Sequence, residues 1–389
     1  MGVNVLNFRK LVFGLSFFVS LLTGCSCGAS SGNQAYILDR DSRLIRFDFE
    51  NVSADCSNVV SSARVIPLKV DSNHFINTID KVFVCDSGLV VFDRKQKAVF
   101  VFDTLGCHRT TIKRIGRGPE EYFYLTDVML DYEQGSIGLI KQEENAVLWY
   151  GFNGVFTEKK LLPRELFILD RALFFEGRVF HYNQNSQSDR KHFQLNVTNV
   201  GLDDRLAYAF RTQIGAVSRS NPHALTYSEG SPNLLFYGGR EIYSLGIDSI
   251  NVKYKFDFGK KNLPESVAKE FFKESNYGNP ADALEMNKLI MGYVLVTDFI
   301  ELDSVIFIGL THEFQSFYAI VDKSSLELKS IFRHSYKGAA FRHVVGYETS
   351  RNAVFFEVWA DKAVGLQVPG VVVERNVMEG VPWLLELTF

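Results

Sequence analysis

Eight histidines are scattered through the chain: His74, His108, His181, His192, His223, His312, His334 and His343. None lies in His-Glu-x-x-His, the chain has no Cys-x-x-Cys, and there is no Gly-x-Ser-x-Gly elbow, since that pattern occurs only at Gly24–Gly28 and Gly28–Gly32 in the small polar stretch after the apolar run. Paired-histidine metal sites, zinc or redox cysteine pairs and serine elbows are therefore not signalled, and no cofactor or metal is expected. His181 and His312 fall near strand ends and are taken as candidate ligand contacts. Asp86, Asp127, Asp131 and Asp298 could line a channel mouth and offer hard oxygens to Ca²⁺. Aspartates of this kind also serve turns by bonding their own backbone. One loop gathers polar groups: Ile115-Gly116-Arg117-Gly118-Pro119-Glu120-Glu121-Tyr122. Arg117, Glu121 and Tyr122 are candidate ligand contacts there. In the competing structural reading, the glycines let the backbone turn and Pro119 fixes φ. A glutamate then accepts backbone amides, and Tyr122 covers a seam between units. Two glycines without a following helix or a Gly-Lys-Ser/Thr do not make a phosphate loop.

One cysteine has a chemistry of its own. Arg9 and Lys10 precede the apolar run Leu11 to Leu22, and Leu21-Leu22-Thr23-Gly24-Cys25 closes it. The basic start, the apolar middle and the small residues form the three regions of a secretory signal. About a dozen apolar residues cannot span a bilayer core, which needs about 20. The end of the run resembles a lipobox. The resemblance implies cleavage of residues 1–24 and lipid on the Cys25 thiol, whose thiolate is a good nucleophile. Residues 25–34 are small and polar and read as a tether. The expected location is the cell envelope, lipid-anchored, on the outer membrane facing the periplasm.

Lys and Arg number 42 and Asp and Glu 45; loss of Arg9 and Lys10 with the leader leaves 40 basic residues. Such a balance gives no footprint for nucleic acid. Phe 34 and Tyr 16 are high counts beside Pro 9, as suits packed sheet faces. About 365 mature residues exceed most single cores, so two domains or one repeat array is expected. Cys27, Cys56, Cys85 and Cys107 have no metal-ligand spacing, and an exported chain could pair some of them. Cys85 ends an apolar stretch and reads as a buried free thiol.

The elements that would position these residues show themselves by repetition. Gly88-Leu89-Val90-Val91-Phe92 corresponds to Ser136-Ile137-Gly138-Leu139-Ile140, and Ala98-Val99-Phe100-Val101-Phe102 to Ala146-Val147-Leu148-Trp149-Tyr150, both 48 residues on. The turns Asp103-Thr104-Leu105-Gly106 and Gly151-Phe152-Asn153-Gly154 keep the offset, and glycine in fourth place allows positive φ. His192 to Val197, Glu241 to Leu245 and Ser316 to Val321 continue the series. The last step is 28 residues too long. Residues 263–290 account for it as a helical insertion, with Pro264 in a first turn and Val267 and Phe271 one turn apart. Three or four strands per unit at this period predict an all-β chain folded as a six-bladed β-propeller over residues 35–389. Ala353 to Val358, Pro382 to Phe389 and an N-terminal strand near Arg64 to Val70 would make the sixth blade and close the ring. Sandwiches would not hold the register through four units, and a β-helix needs shorter coils.

The loop Gly116-Arg117-Gly118-Pro119-Glu120-Glu121-Tyr122 resembles the Gly-Arg-Gly-Pro-x-Glu-Tyr signature of the six-bladed β-propeller lipoproteins of Gram-negative anaerobes, relatives of NHL-repeat and TolB-like propellers. The resemblance covers most of the mature chain. It implies the fold and little chemistry. Two functions follow as expectations. The first is a binding scaffold for a glycan, a peptide or a neighbouring envelope protein, held at the membrane through Cys25. The second is a metal-dependent hydrolase or lyase with its site in the channel, which rests on fold analogy.

Overall fold

The computed structural model describes residues 33–49, 51–70, 74–163, 166, 170–183, 193–211, 221–228, 230–271, 285, 287–359 and 382–389. Cys25, Cys27 and most of the expected tether lie outside them.

Six antiparallel sheets form a β-propeller. Blade 1 spans residues 81–112, blade 2 125–161, blade 3 171–211, blade 4 225–257 and blade 5 295–333. Blade 6 combines residues 344–388 with the strand Ser62–Ile66. The innermost strands are Lys81–Cys85, Leu125–Asp131, Arg171–Phe175, Leu225–Ser228, Leu295–Glu301 and Val344–Glu348. Those of blades 6 and 1, 2 and 3, 3 and 4, and 4 and 5 lie against each other.

Alternation along the strands builds the core. Each blade sends apolar residues to both faces, so the core is a ring of seams, not one centre. Val90, Val101, Val128 and Leu139 fill the seam between blades 1 and 2. Ile66, Phe355, Val82 and Phe100 fill the seam between blades 6 and 1, where the ring closes. The repeated turn glycines behave alike, since Gly106 and Gly154 both have φ of 77°. In the third repeat Leu202, not Gly201, takes the left-handed conformation.

The closing strand is Ser62–Ile66, antiparallel to Pro382–Thr388, slightly earlier than the predicted start at Arg64. What precedes it is a strap. Asn33–Gln34 pairs in parallel with blade 3, Tyr36–Leu38 and Arg43–Arg46 with blade 4, and Val52–Ser53 with blade 5. Asn33 and Gln34 therefore belong to a sheet, although the sequence places them in the tether. Within the helical insertion, Glu265–Phe271 is an α-helix and residues 287–290 are helical again. Cys56, Cys85 and Cys107 are free thiols, and burial pushes the Cys56 and Cys85 thiols up to about 12.

Candidate functional site at the channel mouth

Every blade carries an ionisable side chain at or beside its innermost strand, and those of blades 1, 2, 3 and 6 line one cavity. The six are Lys81, Asp127, Arg171, His223, Asp298 and His343 in blades 1 to 6. Local irregularity aims the acids. The inner strands of blades 2 and 5 each break register, between Leu125 and Val128 and between Val296 and Asp298. Such bulges turn a side chain away from the regular pleat. Both carry the pair Thr-Asp: Thr126-Asp127 and Thr297-Asp298.

The acids then bind neighbouring blades. Lys81 Nζ donates to both oxygens of Asp127 at 2.8 Å, and Asp127 Oδ2 also accepts the Ala172 N–H at 3.1 Å. Burial pushes the Lys81 ammonium pKa down; Asp127 opposes this and Arg171 adds to it. Arg171 donates to the carbonyls of Asn221, Thr126 and Asp170 at 2.9, 3.2 and 2.6 Å. Across the ring, His223 Nδ1 donates to Asp298 Oδ1 at 3.2 Å, and the His223 N–H donates to Asn221 Oδ1 at 2.8 Å. Thr297 Oγ1 donates to Asp298 Oδ2 at 2.9 Å. The Asp298 carboxylate fits only because residue 309 is glycine: a Cβ there would collide with it. His223 is thus fixed on two sides, 3% exposed, with its Nε2 unpartnered.

Toward solvent lies a cavity of about 220 Å³, lined by Asp80, Lys81, Phe92, Arg94, Thr126, Asp127, Arg171, Pro222 and His343. Arg94 and His343 form its exposed lip. Behind His343, Glu357 is fully buried; its Oε1 accepts from Arg342 at 2.7 Å, and His343 Nε2 donates to the Ile79 carbonyl at 3.1 Å. Burial raises the Glu357 carboxyl, against the pull of His343 and Arg342. The other way, the channel narrows to about 30 Å³ among Lys81, His223, Phe83, Tyr132, Tyr227 and Tyr347, roughly one water's share of liquid volume. Tyr132, Tyr227 and Tyr347, from alternate blades, stand 6.3 and 5.5 Å apart by ring centres. Tyr347 Oη accepts the Tyr227 N–H at 2.9 Å. The channel is open and polar at one end and narrowed by aromatic rings toward the other. Among the described residues, no three His, Cys, Asp or Glu side chains form a metal cluster.

The sequence matches the family described as Domain of unknown function (DUF4934) over residues 44–357. The chain belongs to this family. A protein of Bacteroides fragilis described as exported is similar in structure, with a TM-score of 0.72 and 15% identity over 89% of this chain and 99% of that one. A DUF4221 family member from Bacteroides vulgatus has a TM-score of 0.54 and 9% identity over 85% and 97%. At these identities the likeness shows the fold alone. No curated protein matches the sequence.

In this DUF4934 propeller the residues nominated from sequence do not meet. Arg117, Glu121 and Tyr122 share the loop between blades 1 and 2. Glu121 Oε2 accepts the Gly118 N–H at 2.7 Å. Tyr122 is fully buried in the seam, its hydroxyl donating to the Lys97 carbonyl at 2.9 Å. Arg117 lies over the Phe123 ring at 5.5 Å. His181 is fully buried in blade 3, 2.9 Å from Thr198 Oγ1. His312 ends a strand of blade 5, with Nδ1 toward the Tyr293 carbonyl and Nε2 2.7 Å from Lys261 Nζ. None of the five lines either channel cavity. Of the four acids, Asp127 lines the mouth cavity, Asp298 holds His223, Asp131 caps a turn by accepting the N–H groups of Glu133 and Gln134, and Asp86 lies in an exposed turn. Sequence reading missed Lys81 and Arg171 and did not single out His223 or His343. A signal existed in the recurring pairs: Asp-Lys at 80–81 with Asp-Arg at 170–171, and Thr-Asp at 126–127 with 297–298.

Proposed function

We propose that this chain is an envelope lipoprotein, lipid-anchored at Cys25 to the outer membrane and facing the periplasm, whose propeller is a binding scaffold. The channel mouth receives the ligand: a small polar molecule, or the end of a glycan, of a peptide or of a chain from an envelope protein. One observation carries this reading. Blades 1, 2, 3 and 6 deliver ionisable side chains to one open cavity, and the channel beyond it is narrowed by tyrosines. That arrangement holds a ligand rather than passing it through. The leader and Cys25 support the address, and the exported description of the Bacteroides fragilis protein agrees with it. The acidic balance of the chain speaks against nucleic acid as a partner.

The test is a thermal-shift screen of the mature protein against oligosaccharides, peptides and small metabolites, with hits repeated on Thr126→Val and Arg94→Gln. Hits weakened by both variants support the mouth. Hits indifferent to both move the site elsewhere. Turnover of a hit with a stoichiometric metal would replace the scaffold with the hydrolase or lyase reading. Mass spectrometry of protein extracted from membranes checks Cys25, where an unmodified thiol would remove the anchor.

A further inference from the structure

We propose that the mouth is selective for a small organic carboxylate, an inference that rests on the mouth being the ligand site. The wall of the 220 Å³ cavity carries three basic side chains, Lys81, Arg94 and Arg171, against two carboxylates, Asp80 and Asp127. Both carboxylates already have donors. Asp127 takes Lys81 on both oxygens and the Ala172 N–H. Asp80 Oδ2 accepts the Arg94 N–H at 2.9 Å and the Thr78 hydroxyl at 3.2 Å, with Arg94 Nε 3.5 Å from its other oxygen. Lys81 and Arg171 are engaged as well, on Asp127 and on three backbone carbonyls, so net charge decides, and an incoming cation would face a positive wall. An incoming anion meets that charge with low-dielectric walls around it, where attraction is strengthened. Thr126 Oγ1 is buried and unpartnered at this wall. A turn of the Thr126 side chain toward the cavity would let its hydroxyl donate to a carboxylate oxygen and so end its own desolvation cost. Phe92 and Pro222 give the cavity apolar faces, suited to a carbon skeleton more than to an inorganic ion. The size admits a small acid or the acidic end residue of a longer chain.

The experiment uses acid and neutral pairs of nearly one shape: acetate and acetamide, lactate and lactamide, glucuronate and glucose, galacturonate and galactose. Binding to the mature protein is measured by calorimetry at low and moderate salt. The expected result is at least one acid bound about 10-fold or more above its neutral partner, weakening with salt. Substitutions of opposite charge sense separate recognition from mere folding. Arg94→Gln should weaken the acid and Asp80→Asn should strengthen it, each by about 3- to 10-fold, with Arg94→Lys retaining part of the affinity. Melting temperatures of the variants are read alongside. If both variants move affinity the same way, or if neutral partners bind as well as acids, the carboxylate inference falls while a binding mouth stands. If no acid binds but other screened ligands do, it falls in the same way. If nothing in either screen binds, the mouth itself is not the ligand site.

Discussion

His181 shows at the scale of one residue how burial sets chemistry. It is wholly enclosed in blade 3, one ring nitrogen near Thr198 Oγ1 and Nδ1 without a partner. Burial lowers its pKa from the ordinary 6.5 to about 3. Between those values the unfolded chain holds a proton that the folded chain does not. Stability is therefore full above pH 6.5, falls as pH drops, and this contribution is lost by about pH 3. Its slope is about 1.4 kcal/mol per pH unit. His181→Gln keeps a polar partner for Thr198 and cannot titrate in this range. Urea denaturation from pH 4.5 to 7 should show the slope reduced by about one proton in the variant. An equal slope in both proteins would mean that His181 takes its proton while folded. The same residue marks a limit of sequence reading. A histidine near a strand end reads as accessible, but which face of the strand meets a seam depends on the neighbouring blade. Asp127 was legible as a candidate channel acid, though the same reading took in Asp86, Asp131 and Asp298, which do not line the cavity. Lys81 and Arg171 were not, because a basic residue opening a strand is ordinary on a surface, and only ring closure turns that position inward.

At the scale of the element, the loop from Gly116 to Tyr122 is a structural brace. Neither Gly116 nor Gly118 has positive φ. Their lack of a side chain matters because a Cβ on Gly116 would fall into the Glu121 carboxylate. That carboxylate holds the Gly118 N–H, and the loop then delivers Tyr122 into the seam. Gly116→Ala should cost about 1–3 kcal/mol by displacing Glu121. In the Glu121→Ala background the same substitution should cost at least about 1 kcal/mol less, since the clash is gone. Chemical denaturation of the four proteins gives the cycle, and additive costs would refute the close approach. Tyr122→Phe should cost about 1–2 kcal/mol through the lost hydroxyl bond to Lys97. The brace was half legible: residue type suggests that Glu120 or Glu121 accepts a backbone amide, which the structure assigns to Glu121, and that Tyr122 covers a seam. The glycines' reason was not, because it lies in a side chain folding back over them. Repeats were legible for a simpler cause, since every blade solves one packing problem with one pattern of strands and turns. The strap has no such pattern. Its strands are two to four residues long, too short to carry a period.

For the whole molecule the strap and the closing strand do different work, and truncation should separate them. The ring is locked by Ser62–Ile66, which follows the strap, against Pro382–Thr388 near the end of the sequence. Ile66 and Leu68 pack in the seam between blades 6 and 1. The strap adds edge pairing to blades 3, 4 and 5, and Ile45 and Phe47 pack in the seam between blades 4 and 5. A chain begun at Ser42 loses the pairs of Asn33–Gln34 and Tyr36–Leu38, where Tyr36 is 75% exposed, together with the small buried side chain of Ala35 and the ion pair of Asp39 with Lys255. It should unfold cooperatively with a loss of about 1–2 kcal/mol. A chain begun at Asp55 also loses Ile45 and Phe47, each worth about 1.5–3 kcal/mol of burial, so its melting temperature should fall further while the ring stays closed. A chain begun at Leu68 loses the closing strand. Blade 6 is then left with an open edge, Pro382–Thr388, that can template association. Calorimetry and light scattering should find a broad, weak transition and aggregation at that step alone. A gradual loss across all three truncations would mean that closure is spread along the strap. A sharp loss at the third would locate it between Asp55 and Pro67, the stretch that holds the closing strand and the buried Cys56, with the long-range pairing that such closure requires coming at the slow end of folding.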